Sequence, residues 1–298
     1  MRNTSRINID NAQIFSHAYV NSVQQGDGLP IVLLHGIAAS LHDWDELVPE
    51  LIAQGYAVYA LDLLGHGASA KPDSRAYQID WLFEHLVGWI DSLCLAQEIT
   101  FIGHSLGGYL ALEFARHYPQ QTRGLVLSNP FYKPSQLSPL LRLSYRRPRL
   151  NSLIIERTPH WLWRMIIDAT SLSLGRTAGA LYYLPEKVRS QTAQDYRRTA
   201  PGVYNLPNTM SDLTSGLPGI EIPSLVIWGD HDLTLNPDSF DQLVKSLANA
   251  EGKLIRGAGH VAHQSNPAEF NQVVLDFMTR FGSRQSKNGS STEYASKD

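Results

Sequence analysis

The sequence predicts an α/β protein: a doubly wound, mostly parallel sheet that carries one helical insertion. Short, nearly continuous apolar runs of four or five residues alternate with longer stretches of helical periodicity, which is how strands covered on both faces read. That alternation stops between about residues 130 and 216, where apolar residues cluster without short strands and Pro or Gly interrupts repeatedly. A chain of 298 residues, 43% apolar and 18% charged, lies at the upper end of what one domain holds, which fits one core plus an insertion.

In chain order, the runs Ile31 to Leu34, Ala57 to Leu61, Ile99 to Ile102, Gly124 to Leu127 and Ser224 to Trp228 predict strands. A shorter one ends near Ile255. Helical patterns cover Trp44 to Ala53, Tyr77 to Leu95, Leu106 to His117, Pro237 to Ala248 and Pro267 to Phe281. In the second of these, Leu82, Phe83, Leu86, Trp89, Ile90 and Leu93 recur at spacings of three and four, giving one wide apolar stripe. The expected division is a core at 1–129 and 217–282, a helical cap at 130–216 over the carboxyl ends of the strands, and a disordered tail at 283–298. That tail has almost nothing apolar to bury.

Composition narrows the function. The one cysteine, Cys94, excludes an intrachain disulfide and a Cys-rich metal cluster; it is expected to be a small buried apolar residue, in keeping with a reducing compartment. Met1 to Asp10 lacks the apolar core of a signal peptide, and Arg164 and Asp168 interrupt the most apolar run, so a cytoplasmic chain without a membrane-spanning helix is expected. A net charge of −3 gives no sign of a nucleic-acid partner. Gly65-His-Gly67 lacks the third glycine of a dinucleotide fingerprint, and the chain has neither a phosphate loop nor the His pair of a metalloprotease helix. No cofactor and no metal are therefore expected.

The chemistry points to Gly103-His-Ser105-Leu-Gly107, a G-x-S-x-G placed between an apolar strand and an apolar helix. A serine hydroxyl is a poor nucleophile and must be exposed to a base on a turn too sharp for flanking side chains, which the two glycines permit. The competing reading makes Ser105 a helix N-cap. A nucleophile calls for an acid and then a histidine downstream, each just past a strand: Asp230 or Asp232, and His260 or His263. The oxyanion donors would be the backbone N–H groups of Leu106 and of Ile37, in the loop after Ile31 to Leu34. His35, His104 and His263, with Trp161 and Trp163 of the cap, are candidates for lining the substrate pocket, although His35 is better placed to brace its loop.

These residues resemble the α/β-hydrolase superfamily from about Ile14 to Phe281. The segments that carry the resemblance are His35-Gly-Ile-Ala, Leu61-Asp-Leu-Leu-Gly-His-Gly-Ala-Ser69, Gly103-His-Ser-Leu-Gly-Gly, Trp228-Gly-Asp-His-Asp232 and Gly257-Ala-Gly-His260 with Asn266-Pro-Ala-Glu-Phe270. The resemblance implies Asp232 as the acid, and loop-shaping roles for Asp62 and Gly65. The family often places Pro four residues after the acid; here Asn236 stands there and Pro237 follows. Ser rather than Asp at 105 argues against an alkyl-ester intermediate of the dehalogenase or epoxide-opening kind and for an acyl-enzyme. The expected substrate is a small acyl ester, lipid-like or a thioester. A carbon–carbon bond hydrolase, or a receptor-like member with little turnover, is the alternative.

Residues 131 to 215 hold twelve Lys or Arg against five Asp or Glu, so a basic cap covers an acidic remainder. One reading is a solvated basic face on helices whose apolar side packs below. The sharper one is a lid in peripheral contact with anionic membrane lipid that lines an acyl-chain channel. Nothing in the sequence indicates oligomeric state.

Overall fold

The structure is a computed structural model that describes residues 18–72, 77–139, 141–142, 153, 157–159, 161–162, 164–165 and 184–288. Seven strands form one sheet: β1 (Ser22–Gln25), β2 (Pro30–Leu34), β3 (Ala57–Leu61), β4 (Ile99–His104), β5 (Thr122–Ser128), β6 (Ser224–Gly229) and β7 (Ala250–Ile255). Their order is β1-β3-β2-β4-β5-β6-β7, with every pair parallel except β1 against β3. All residues of β2, β3, β4 and β6 are buried, the property that makes parallel strands read as unbroken apolar runs. Strand β1 was not expected from the sequence, because all four of its residues are exposed and only Val23 is apolar. It is an edge, where one face and one side need no burial.

Alternate residues of each strand enter opposite cores. On one face Val32, Leu34, Phe101, Leu125, Leu127 and Val226 pack with α2 (Ile79–Ser92), α3 (Leu106–His117) and α5 (Asp238–Ser246). On the other, Ile31, Leu33, Val58, Ile102, Val126 and Ile227 meet Leu51 of α1 (Val48–Ala53) and Phe270, Val274 and Phe277 of α7 (Pro267–Asn288). Burying each such aliphatic side chain contributes about 1.5–3 kcal/mol, so both faces must be roofed. A one-turn α6 (Ala262–Ser265) precedes α7.

Several expectations are corrected. Trp44 closes a separate 3-10 turn, Leu41–Trp44, and the following α-helix begins only at Val48. The last helix continues to Asn288, into the segment expected to be a disordered tail. Arg, Gln and Lys propagate a helix that is already nucleated, and no proline stops it there. Cys94 is exposed rather than buried, at φ 49° just beyond the end of α2, where the chain turns away from the apolar stripe. No described helix is long and apolar enough to cross a membrane.

In the inserted region the described residues include α4 (Glu186–Arg198) and a 3-10 stretch, Pro201–Asn208. This part is tied down to the loop after β3 and to the start of α2: Ala200 N donates to Gly65 O at 2.8 Å, and Ile79 N to Thr209 Oγ1 at 3.0 Å.

Candidate active site

The chain passes from β3 on one side of β2 to β4 on the other, so strand order reverses between β2 and β4. Loops leaving adjacent strands at such a point diverge and open a crevice at the carboxyl ends of the strands. Leu34 pairs with Gly103 there, which sets the loop from His35 beside Ser105.

Ser105 joins β4 directly to α3 at φ 49° and ψ −107°, a conformation that costs an L-residue about 1–3 kcal/mol. Neighbours hold it there: Ser105 N donates to Ser128 O at 3.0 Å, and its carbonyl accepts from Tyr109 N and Phe131 N, both at 3.1 Å. Its hydroxyl makes no capping bond to α3, which removes the N-cap reading. A Cβ at Gly107 would collide with the Leu34 carbonyl, and one at Gly36 with the His104 ring, so the first turn of α3 and the loop after β2 meet at backbone distance. Leu106 opens α3, so its N–H has no intrahelical acceptor; Ile37, half-buried, lies in the loop that packs on the turn.

The structure places the members of the two pairs of alternatives differently. His260 Nδ1 lies 2.7 Å from Asp232 Oδ2. Asp232 also accepts from Thr234 N at 2.8 Å, Leu235 N at 3.0 Å and Asn129 Nδ2 at 2.9 Å. Burial pushes its carboxyl up, but the adjacent imidazole and these donors outweigh burial and hold it below the ordinary carboxylate range. An ionised Asp232 must accept from Nδ1–H, which leaves Nε2 of neutral His260 as the basic atom. Asp230 is exposed and instead receives Gly257 N at 2.6 Å, bracing the turn before His260. His263 lies in α6, 2% exposed, near Asp43 rather than Asp232.

Residues 30–267 match the alpha/beta hydrolase fold family. The chain belongs to the α/β-hydrolase family. Among its relatives, pig (Sus scrofa) bifunctional epoxide hydrolase 2 is 26% identical over 88% of this chain, which spans 55% of that protein. An Escherichia coli 2-hydroxy-6-oxononadienedioate/2-hydroxy-6-oxononatrienedioate hydrolase is 25% identical over 93% of this chain and 96% of its own length. The structure of a thermophilic esterase from Thermogutta terrifontis superposes with a TM-score of 0.73 at 24% identity, covering 88% of this chain and 93% of that one.

In this hydrolase the remaining candidates separate. His35 is fully buried; its Nε2 accepts from Leu63 N at 2.9 Å, so Nδ1 carries the proton and donates to Gly36 O at 2.7 Å. Both nitrogens are used on backbone, which fits the bracing role expected of His35. His104 is likewise 4% exposed, its ring 4.9 Å from that of His260 and its Nε2 3.1 Å from the His260 carbonyl. It packs beside His260 and is bonded to its backbone. Trp161 is 67% exposed, and among the described residues no contact joins it to Ser105 or His260. Trp163 lies outside the described residues, as do Arg146, Arg147 and Arg149. Asp62 shapes its loop as expected, accepting from Leu41 N, Ala68 N and Asn21 Nδ2.

Sequence reasoning missed Asn129, Asp43 and Asp195. Asn129 follows β5 and precedes Pro130, a polar residue at the carboxyl end of a strand like Ser105, Asp232 and His260, and that position was the available signal. Asp43, His104 and His263 form a buried group able to hold a metal ion, their ligand atoms lying within 4.8 Å of one another. Burial pushes Asp43 up, but the two imidazoles beside it hold its carboxyl far below the ordinary range.

Proposed function

We propose that this chain is a serine hydrolase of small carboxylic esters, lipid-like esters and thioesters included, working through an acyl-enzyme. The observation that carries this reading is a serine at the strained turn between β4 and α3, with a buried His260–Asp232 pair at 2.7 Å behind it. Ser105 Oγ attacks the acyl carbon while its proton passes to His260 Nε2, and Asp232 stabilises the imidazolium that forms. The Ile37 and Leu106 N–H groups receive the oxyanion, each such donor being worth about 10²–10³ in rate. Collapse expels the alcohol, which takes the proton from His260. Water, deprotonated by the same imidazole, then releases the acid and restores Ser105.

Serine at 105 favours this reaction over epoxide opening, because a carboxylate nucleophile would be needed for the alkyl-ester route. A second reading, a carbon–carbon bond hydrolase, has one supporting observation: the likeness over nearly full length to a relative whose name specifies hydrolysis of a dienedioate or trienedioate substrate. The two are separated by assaying a chain-length series of p-nitrophenyl and acylglycerol esters beside that dienedioate. Ester turnover is expected, and Ser105→Ala should lower kcat by on the order of 10⁶-fold with the fold intact. Tight ligand binding with no turnover of any ester, or an undiminished Ser105→Ala rate, would refute the proposal.

A further inference from the structure

Asp43, His104 and His263 come from three separate places: the 3-10 turn after β2, the last residue of β4, and α6. They are 8%, 4% and 2% exposed. Asp43 Oδ2 lies 3.4 Å from His104 Nδ1 and 3.8 Å from His263 Nε2. Hydrogen bonds between such atoms span about 2.7–3.2 Å, so both separations are too long for a direct bond. They suit ligands of a shared cation: with metal–ligand bonds of about 2.0–2.1 Å, two ligand atoms at a tetrahedral angle stand roughly 3.3 Å apart.

Proton placement supports the same conclusion. The His260 carbonyl only accepts, so the proton of a neutral His104 ring is on Nε2, and Nδ1 turns a lone pair toward the Asp43 carboxylate. Two acceptors facing each other repel unless a positive charge lies between them. Neither ring nitrogen of His263 has a hydrogen bond among the described residues, although its side chain is only 1% exposed. The outer contacts are those of a metal site, where ligating imidazoles pass their other N–H to a carbonyl and ligating carboxylates are themselves hydrogen-bonded. His104 donates to the His260 carbonyl, and Gln264 Nε2 donates to Asp43 Oδ1 at 3.0 Å.

We propose that Asp43, His104 and His263 bind one divalent first-row transition ion, zinc in the first instance. Two imidazoles with one carboxylate suit such an ion and disfavour calcium or magnesium, which take oxygen ligands. The ion joins the loop after β2, the serine turn and the segment after His260. The site stands independently of the ester-hydrolase reading.

The test uses the full chain, stripped with a chelator and dialysed against Zn²⁺ or Co²⁺, with bound metal counted by mass spectrometry. One ion per chain and a raised Tm are expected. Asp43→Asn and His263→Gln should lose the ion, while Ser105→Ala and the surface variant His117→Gln keep it. In the Co²⁺ chain, two paramagnetically shifted exchangeable imidazole protons are expected, from His104 Nε2–H and His263 Nδ1–H, a readout that holds even where a variant fails to fold. Substoichiometric metal, metal retained by both ligand variants, or no shifted imidazole protons would overturn the proposal.

Discussion

Asp230 and Asp232 are two residues apart in one turn, yet their side chains do different work. Asp232 is 4% exposed and bonded to the His260 imidazole, whereas Asp230 is exposed, accepts from the Gly257 amide and lies 3.9 Å from His231 Nε2. On the proposed mechanism, replacing Asp232 by Asn should leave the packing but remove the charge that fixes the His260 tautomer, with an expected loss of about 10⁴-fold in kcat. Asp230→Asn should cost less than about tenfold, because a turn bond is weakened and no charge on the base is lost. Steady-state kinetics on whichever ester the wild type turns over decides this. Equal losses in the two variants would mean that the acid is misassigned.

Among the secondary-structure elements, the crossing of β2 and α3 sets the site. Their backbones approach so closely that a methyl group at Gly107 has nowhere to go except into the Leu34 carbonyl, a rigid backbone atom. Gly107→Ala should therefore destabilise the fold by at least about 3 kcal/mol, the upper range for overpacking. Gly219→Ala meets nothing within 4 Å and should stay within about 0.5 kcal/mol of wild type. Urea midpoints compare the two, and similar values would show that the close approach is not what requires glycine at 107. The strands that frame this crossing were legible because burial on both faces forces unbroken apolar runs. Strand β1 was not, since an exposed edge imposes no pattern. The end of α7 was misjudged for a related reason: polar residues carry no periodicity to distinguish an exposed helix from a solvated tail.

For the molecule as a whole, the inserted region and the core meet at a buried carboxylate. Asp195 of α4, 3% exposed, accepts from Ser40 Oγ at 3.0 Å in the loop that also carries Ile37. Burial pushes its pKa up to about 7, and the nearby Asp43 charge adds to this. A folded-state pKa above the unfolded one means that the folded chain keeps a proton the unfolded chain has released. Stability contributed by the protonated form is thus full below the ordinary aspartate value of 3.8, falls as pH rises toward about 7, and then levels off. The span corresponds to at most about 4 kcal/mol. Asp195→Asn should match wild type near pH 4 and melt at a higher temperature at pH 8. Parallel melting curves across that range would remove this role. The basic charge between β5 and β6 is in part answered by ion pairs: Arg164 and Arg189 both bond Glu186 at 2.7 Å within that segment, and Lys187 reaches Asp45, in the turn after β2, at 3.2 Å.

The sequence by itself determined the α/β core, the order of Ser105, acid and His260, and the loop that carries Ile37, because each is a local pattern: an apolar run, a glycine-flanked turn, a polar residue just past a strand. It did not determine which aspartate faces the imidazole, that His35 and His104 bond to backbone, or that Asp43, His104 and His263 converge beside the serine turn. Those facts depend on residues from distant parts of the chain meeting at the carboxyl edge of the sheet. Positions such as Asp43 and His263, 220 residues apart in sequence, acquire a relation only when β2, β4 and the segment after β7 are folded side by side, and no local periodicity records that contact.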